Sequence, residues 1–281
     1  MQLIRYRPAP PLDRYIECFW WSRRDEPQLH SEHMLPSGRA QLLFALHETP
    51  ILCRPSAAAG HSVVWSGSIV HGPQSSYYVA GAKPRGEIVG VSFCPGAAGA
   101  VLGASMDELS DRHVALDAIW GKRGVDLHHR LMSAAEPRHA FRILEQSLSA
   151  RLHRPLLMHP AVAHALAPRS TTASSQARVS DVQRASGYSP RHFIALFRSA
   201  VGLNPKHYYR IGRFNFAVRS MAAGDGRGFA DIAAAAGYSD QAHMIREFRE
   251  FAGVAPTKYR PSALDRPLHH RAGTEPEPVC M

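Results

Sequence analysis

Up to residue 93 the apolar positions come in short, dense runs. Residues 15–21, 40–46, 63–70 and 87–93 are rich in aromatic and β-branched side chains, and Pro, Gly and Ser breakers bound them. Runs of this length and composition predict strands. No long helical crossover separates them, so a barrel or sandwich fits better than a parallel sheet. Residues 8–14 and 97–103 predict short helical or turn segments.

The period changes near residue 105. Ser105 and Glu108 form a capping-box pattern at the start of a helix. Residues 125–132 and 137–152 repeat apolar positions three and four apart (Phe141, Leu144, Leu148, Leu152), and 160–167 opens on a proline suited to a first turn. Leu116 and Trp120 are expected to pack this helical layer on the strands. Residues 168–177, small and hydroxyl-rich without periodicity, read as a linker. The Pro- and His-rich stretch 263–281 reads as a disordered tail.

Between linker and tail the chain repeats itself. Gly187-Tyr188-Ser189 precedes Phe197-Arg198, Gly202, Pro205 and Tyr209-Arg210. Gly237-Tyr238-Ser239 precedes Phe248-Arg249, Gly253, Pro256 and Tyr259-Arg260. In the second copy an alanine-rich helix runs into Gly237, with Ala233 small enough to let a second helix cross closely. That second helix turns Met244, Phe248 and Phe251 inward and leaves Gln241, His243, Arg246 and Arg249 outside. Residues 205–222 predict one helix between the copies, with Tyr208, Ile211, Phe214, Val218 and Met221 inward. A period near 50 residues suits a solenoid in a longer array. Two copies joined by a long helix suit a tandem DNA reader better.

Charge strengthens that choice. The chain is +10 overall, and between residues 176 and 260 thirteen Arg and Lys face only six Asp and Glu. A basic surplus concentrated on a suspected helix-turn-helix pair suggests nucleic acid.

The stretch 179–260 resembles the AraC/XylS family of bacterial transcription regulators. The resemblance is carried above all by Asp231-Ile232-Ala233, Gly237 to His243, Phe248-Arg249, Gly253, Pro256 and Tyr259-Arg260. Residues 15–20, 35–38, 89–98 and 118–121 resemble more loosely a sensor-like region of one subgroup. The resemblance implies two helix-turn-helix units, each placing its second helix in a major groove, on half-sites about 34 Å or ~10 base pairs apart. The family's base-facing positions fall on Arg191, Ile194 and Ala195, with Arg198 near the backbone. In the second copy they fall on Gln241, Ala242, His243 and Arg246, with Arg249 beside them. Arg191 suits guanine and Gln241 adenine, whereas Ile194 and Ala195 offer at most contact with a thymine methyl. Gln183 replaces the small residue that Ala233 supplies in the other copy, so either the helices separate or Gln183 bends outward. Two accounts of the first copy stay open: it is altered, or it reads an A·T-rich half-site.

The expected class is α+β. Residues 1–167 form a β-rich, barrel- or sandwich-like sensor or dimerisation domain, with strands to about 104 and helices over about 105–167. After the 168–177 linker comes an all-α domain, 178–262, of two helix-turn-helix units joined by a long helix. The expected function is sequence-specific promoter regulation, as activator or repressor, in response to a small molecule. Expected partners are double-stranded promoter DNA, a small-molecule inducer in the N-terminal domain, RNA polymerase and a second copy of the chain. No membrane partner is expected, and the location is cytoplasmic: no stretch approaches the roughly 18 apolar residues of a span.

Other chemistries find less support. Cys18, Cys53, Cys94 and Cys280 lack C-x-x-C spacing, and the histidine pairs, His30 and His33 among them, match no metal geometry. No catalytic residue, metal ligand or cofactor is assigned, and the chain is not read as an enzyme. The alternative is a metal-dependent enzyme domain using His30, His33, His47, His61 or His71, or a cysteine-dependent one, fused to the DNA-binding part. Phe19, Trp20, Trp21, Trp65, Tyr77 and Tyr78 can line a ligand pocket, although core packing accounts for most of them.

Overall fold

The computed structural model describes residues 2–28, 30–46, 51–55, 63–81, 86–152, 158–167, 179–224 and 226–272. The 168–177 linker lies outside them. Two antiparallel sheets form the N-terminal part. The first is ordered β1 (Gln2–Tyr6), β2 (Ile16–Arg24), β9 (Gly86–Phe93), β4 (Gln41–Leu46), β7 (Ser68–His71), β10 (His113–Ala115). The second is ordered β11 (His269–Arg271), β3 (Glu32–Met34), β8 (Tyr78–Ala80), β5 (Ile51–Pro55), β6 (Val63–Trp65).

The unbroken apolar run in β4 is explained by burial on both faces, where alternation has no solvent side to mark. Leu42, Phe44 and Leu46 join Phe19, Val89, Val91 and Phe93 beneath a helical layer. Leu43 and Ala45 face the second sheet with Ile51, Cys53, Ile69, Tyr78 and Ala80. The helical layer comprises α1 (Ala98–Leu102), α2 (Met106–Leu109), α3 (Leu116–Trp120), α4 (Lys122–Met132) and α5 (Pro137–Ser149). Leu116 and Trp120 are buried in it, as periodicity predicts.

The remaining helices are α6 (Pro160–Leu166), α7 (Val179–Ala185), α8 (Pro190–Val201), α9 (Pro205–Ala223), α10 (Phe229–Ala236) and α11 (Gln241–Ala252).

Four local expectations need correction. The predicted strand 63–70 is broken at Gly67, whose φ of +91° turns the chain between β6 and β7. Ser105 starts α2 without a capping bond, because its hydroxyl goes to Asp107 and to Ser199 of α8, 2.9 Å away. Helix α6, grouped by sequence with the N-terminal domain, instead packs Ala161, Val162 and Ala165 against Val182, Phe193 and Phe197. The stretch read as a disordered tail is folded over residues 263–272. Strand β11 pairs His269, His270 and Arg271 with Met34, His33 and Glu32, extending the N-terminal domain's second sheet. Residues 273–281 lie outside the described residues. The tail's polarity misled because β11 is an edge strand held by backbone bonds rather than by an apolar face.

The two parts of the chain share a core. Leu35 of the N-terminal part is buried with Leu203, Ile211, Phe214, Phe248 and Phe251. Across the same junction, His33 Nδ1 lies 2.9 Å from the Ala252 carbonyl and His207 Nε2 lies 2.7 Å from the Ser75 carbonyl.

Candidate nucleic-acid interface

Helices α7–α8 and α10–α11 are two helix–turn–helix units on either side of α9. Proline begins α8 and α9, where a missing N–H costs nothing. Each second helix is capped by a side chain. Ser189 accepts from the His192 amide at 3.4 Å, and Asp240 from the His243 amide at 2.6 Å. That amide bond, with help from Ser239, holds the Asp240 carboxyl below its usual range. Both helices end at glycines in the left-handed region, Gly202 and Gly253, as C-caps require.

Burial divides the helix faces. In α8, Phe193, Phe197 and Val201 are buried, while Arg191, Ile194, Ala195 and Arg198 are exposed. In α11, Met244, Phe248 and Phe251 are buried, while Gln241, Ala242, Arg246 and Arg249 are exposed. His243 is partly withdrawn: its Nδ1 lies 3.1 Å from Ser239 Oγ and its ring sits edge-on to Tyr238. Of the nine residues singled out from sequence, His243 is the one the turn itself engages.

The basic surplus is less available than counting suggests. Arg210 Nε and Arg213 Nη2, both on α9, meet Glu247 Oε2 at 2.8 and 3.1 Å, and Arg210 also binds Glu250. Glu247 is only 3 % exposed. Two arginines counted toward a DNA-facing surface therefore serve as internal counter-charges, fixing α11 on α9. Glu247 was legible only as one more acid between apolar positions. Its partners lie 37 and 34 residues upstream, and only the fold brings them together.

Gln183 resolves one open point. It bends outward, and its Nε2 donates to the Tyr188 carbonyl in the turn at 2.7 Å. The second copy uses a backbone bond instead, Tyr238 N to the Ala233 carbonyl at 2.9 Å. The turn tyrosines diverge accordingly. Tyr238 is buried, with Arg213 over its ring, whereas Tyr188 is exposed and its hydroxyl lies 3.1 Å from His159 Nε2. Burial and the nearby Glu247 raise the Tyr238 hydroxyl far above its ordinary range, so it stays neutral.

The aromatic residues considered as pocket linings are mostly packed. Phe19 and Trp21 lie under the helices, Trp20, Trp65 and Tyr78 between the sheets, and Tyr77 at the junction of the two parts. No helix among the described residues is long and apolar enough to cross a membrane.

A family match agrees with the helix-turn-helix geometry. Residues 182–262 match the family described as a helix-turn-helix domain, and residues 4–115 match a domain of unknown function. No curated protein matches the chain in sequence. Among solved structures, ToxT from Vibrio cholerae is similar at TM-score 0.47 and 11 % identity, covering 85 % of this chain and 96 % of that one. The unsaturated fatty acid-bound wild-type form of ToxT from Vibrio cholerae strain SCE256 gives 0.45 and 10 %, covering 85 % and 93 %.

Proposed function

We propose that this chain is a DNA-binding transcription regulator carrying an AraC-type helix-turn-helix domain over residues 182–262, and that its two units read bases unequally. The second unit carries the greater share. The supporting observation is the exposed N-terminal half of each second helix, since this is the part that reaches base edges in a major groove. Gln241 and Arg246 bring hydrogen-bonding groups to that surface, with Arg249 beside them for phosphate. The first copy brings Arg191 for guanine and Arg198 for the backbone, separated by Ile194 and Ala195, which suit a thymine methyl.

The N-terminal domain acts by contact with both units. α8 ends against α2 and Pro73, α11 ends against Tyr77, and β11 ties the chain beyond α11 to the second sheet. Whatever shifts the N-terminal domain therefore shifts the spacing of the two reading helices.

Selection of bound sequences from random DNA tests this reading. The expected product is a bipartite site with half-sites ~10 base pairs apart and stronger base preference in one half. Six to ten phosphate contacts would lower affinity by about 10³–10⁵ between 50 and 200 mM salt. Absence of both sequence preference and salt slope would overturn the proposal.

A further inference from the structure

The two sheets meet at a cluster that the DNA-binding reading does not use. His71 of β7 and His113 of β10 are direct register partners, with ring centroids 4.3 Å apart. Cys53 of β5 faces them from the other sheet. One donor atom from each of Cys53, His71 and His113 lies within 4.8 Å of the others. Tyr78 of β8 closes the group, its hydroxyl 3.0 Å from His71 Nδ1.

Two of these donors are anomalous for a protein interior. His71 Nε2 and His113 Nδ1 are buried and have no hydrogen-bond partner among the described residues. Leaving such groups unsatisfied is costly, so two orphaned ring nitrogens beside a thiol call for a ligand. Burial also pushes both imidazoles down, His113 to about 4, so both keep their lone pairs at neutral pH.

We propose that Cys53, His71 and His113 bind one zinc(II) ion, and that its binding sets the segment on which both reading helices end. Imidazole and thiolate together suit a borderline-soft transition metal, and this donor set disfavours magnesium and calcium. Zinc bonds of about 2.0–2.3 Å place tetrahedral ligands roughly 3.5 Å apart, so the donors need an inward shift of about 1 Å. Binding displaces the Cys53 proton to solvent. With Nε2 of His71 on the ion, Nδ1–H donates to the Tyr78 oxygen and fixes the ring. Three protein ligands leave a fourth position for water or a small anion.

The site stands at the base of the 71–78 segment. His71 and Tyr78 are its two ends, and the residues between them touch both DNA-binding units. A Cβ on Gly202, after α8, would lie 2.9 Å from Pro73 Cγ, and one on Gly253, after α11, would lie 2.5 Å from Tyr77 Cζ. Between them Ser75 takes the bond from His207 of α9, and its own amide is held by Asp111 at 2.6 Å, two residues from His113. An ion drawing His71 and His113 toward Cys53 pulls on both ends of this contact. This coupling rests on the DNA-binding reading, whereas the metal site does not.

The test uses the full chain, purified without a histidine tag and stripped by chelator, then titrated with cobalt(II) and displaced with zinc(II). One equivalent and a thiolate-to-cobalt charge-transfer band are expected. Cys53→Ser should abolish the band, and Tyr78→Phe should weaken binding by about tenfold through the lost second contact. The exposed His139→Gln should bind as the parent does, and circular dichroism checks that each variant is folded. No stoichiometric metal, or a band surviving in Cys53→Ser, would overturn the site. Gel shifts on selected DNA with and without zinc should differ at least several-fold. Equal affinities would overturn the coupling. A chain that ignores DNA would refute the functional reading while leaving the cobalt result to stand or fall alone.

Discussion

The two helix-turn-helix units share a plan and differ in how they are held together. The second is fastened from inside: Glu247 sits between Arg210 and Arg213, Tyr238 is buried, and Ala233 lets the helices cross closely. The first is fastened from outside. Gln183 clasps the turn, Tyr188 leans on His159, and α6 supplies the apolar cover that the repeat itself lacks. A repeat can thus keep its turn glycine, its phenylalanines and its caps while exchanging the interaction that sets the crossing. The first unit tolerates Gln183 because the side chain turns outward to the Tyr188 carbonyl.

The largest expected effect breaks the inner fastening. Glu247→Gln removes the buried counter-charge of Arg213, leaves Arg210 with only the exposed Glu250, and should destabilise the second unit by about 3 kcal/mol, read by urea denaturation. Gln183→Ala, its counterpart in the first unit, should cost only about 1 kcal/mol. Equal losses would mean that the two units are held alike.

The glycine caps come next. Gly202→Ala forces φ of +87° on a residue whose Cβ would meet the Met106 carbonyl at 2.8 Å, and backbone cannot step aside. Gly253→Ala at φ +72° meets the far end of the Tyr77 ring, which can swing. The expected losses are about 2 and about 1 kcal/mol, checked by thermal melting.

On DNA, Gln241→Ala and Arg246→Ala should each cost roughly 1–3 kcal/mol of discrimination on a selected site, and Ile194→Ala well under 1. Gel shifts on matched and mismatched half-sites decide the ranking. The reverse order would make the first unit the main reader.

The smallest effect separates the two caps by pH. Asp240 is held below its usual carboxylate range in the folded chain. Its contribution is therefore fully present above the unfolded value and disappears as pH falls through the folded one. The Ser189 cap does not titrate. The difference in melting temperature between the parent and Asp240→Asn should close in acid, while the stability loss in Ser189→Ala, about 1 kcal/mol at neutral pH, should persist.

Much of the DNA-binding part was legible because its signals are local. Caps, turn glycines and the inward phenylalanines act over a few residues, and apolar spacing set the faces of α9 and α11. The same locality explains what was missed. β3, β8 and β10 have three residues each, too few for any period to show. β11 lies in a polar stretch and forms because an edge strand awaits it. Arg210 and Arg213 read as free charge until the fold supplied Glu247.

By itself, then, the sequence determined the repeat, the inward face of α11 and the β-rich half, since hydrophobic period and turn chemistry are written in neighbouring residues. Tertiary structure alone decided which charges face inward, how Gln183 is accommodated and where the chain's end is tied. It also decided that Cys53, His71 and His113 meet. Apart from Gln183, whose partner lies 5 residues on, these depend on residues 18 to 239 positions apart, and their distances are set by two packed sheets and a shared core, which no local pattern encodes.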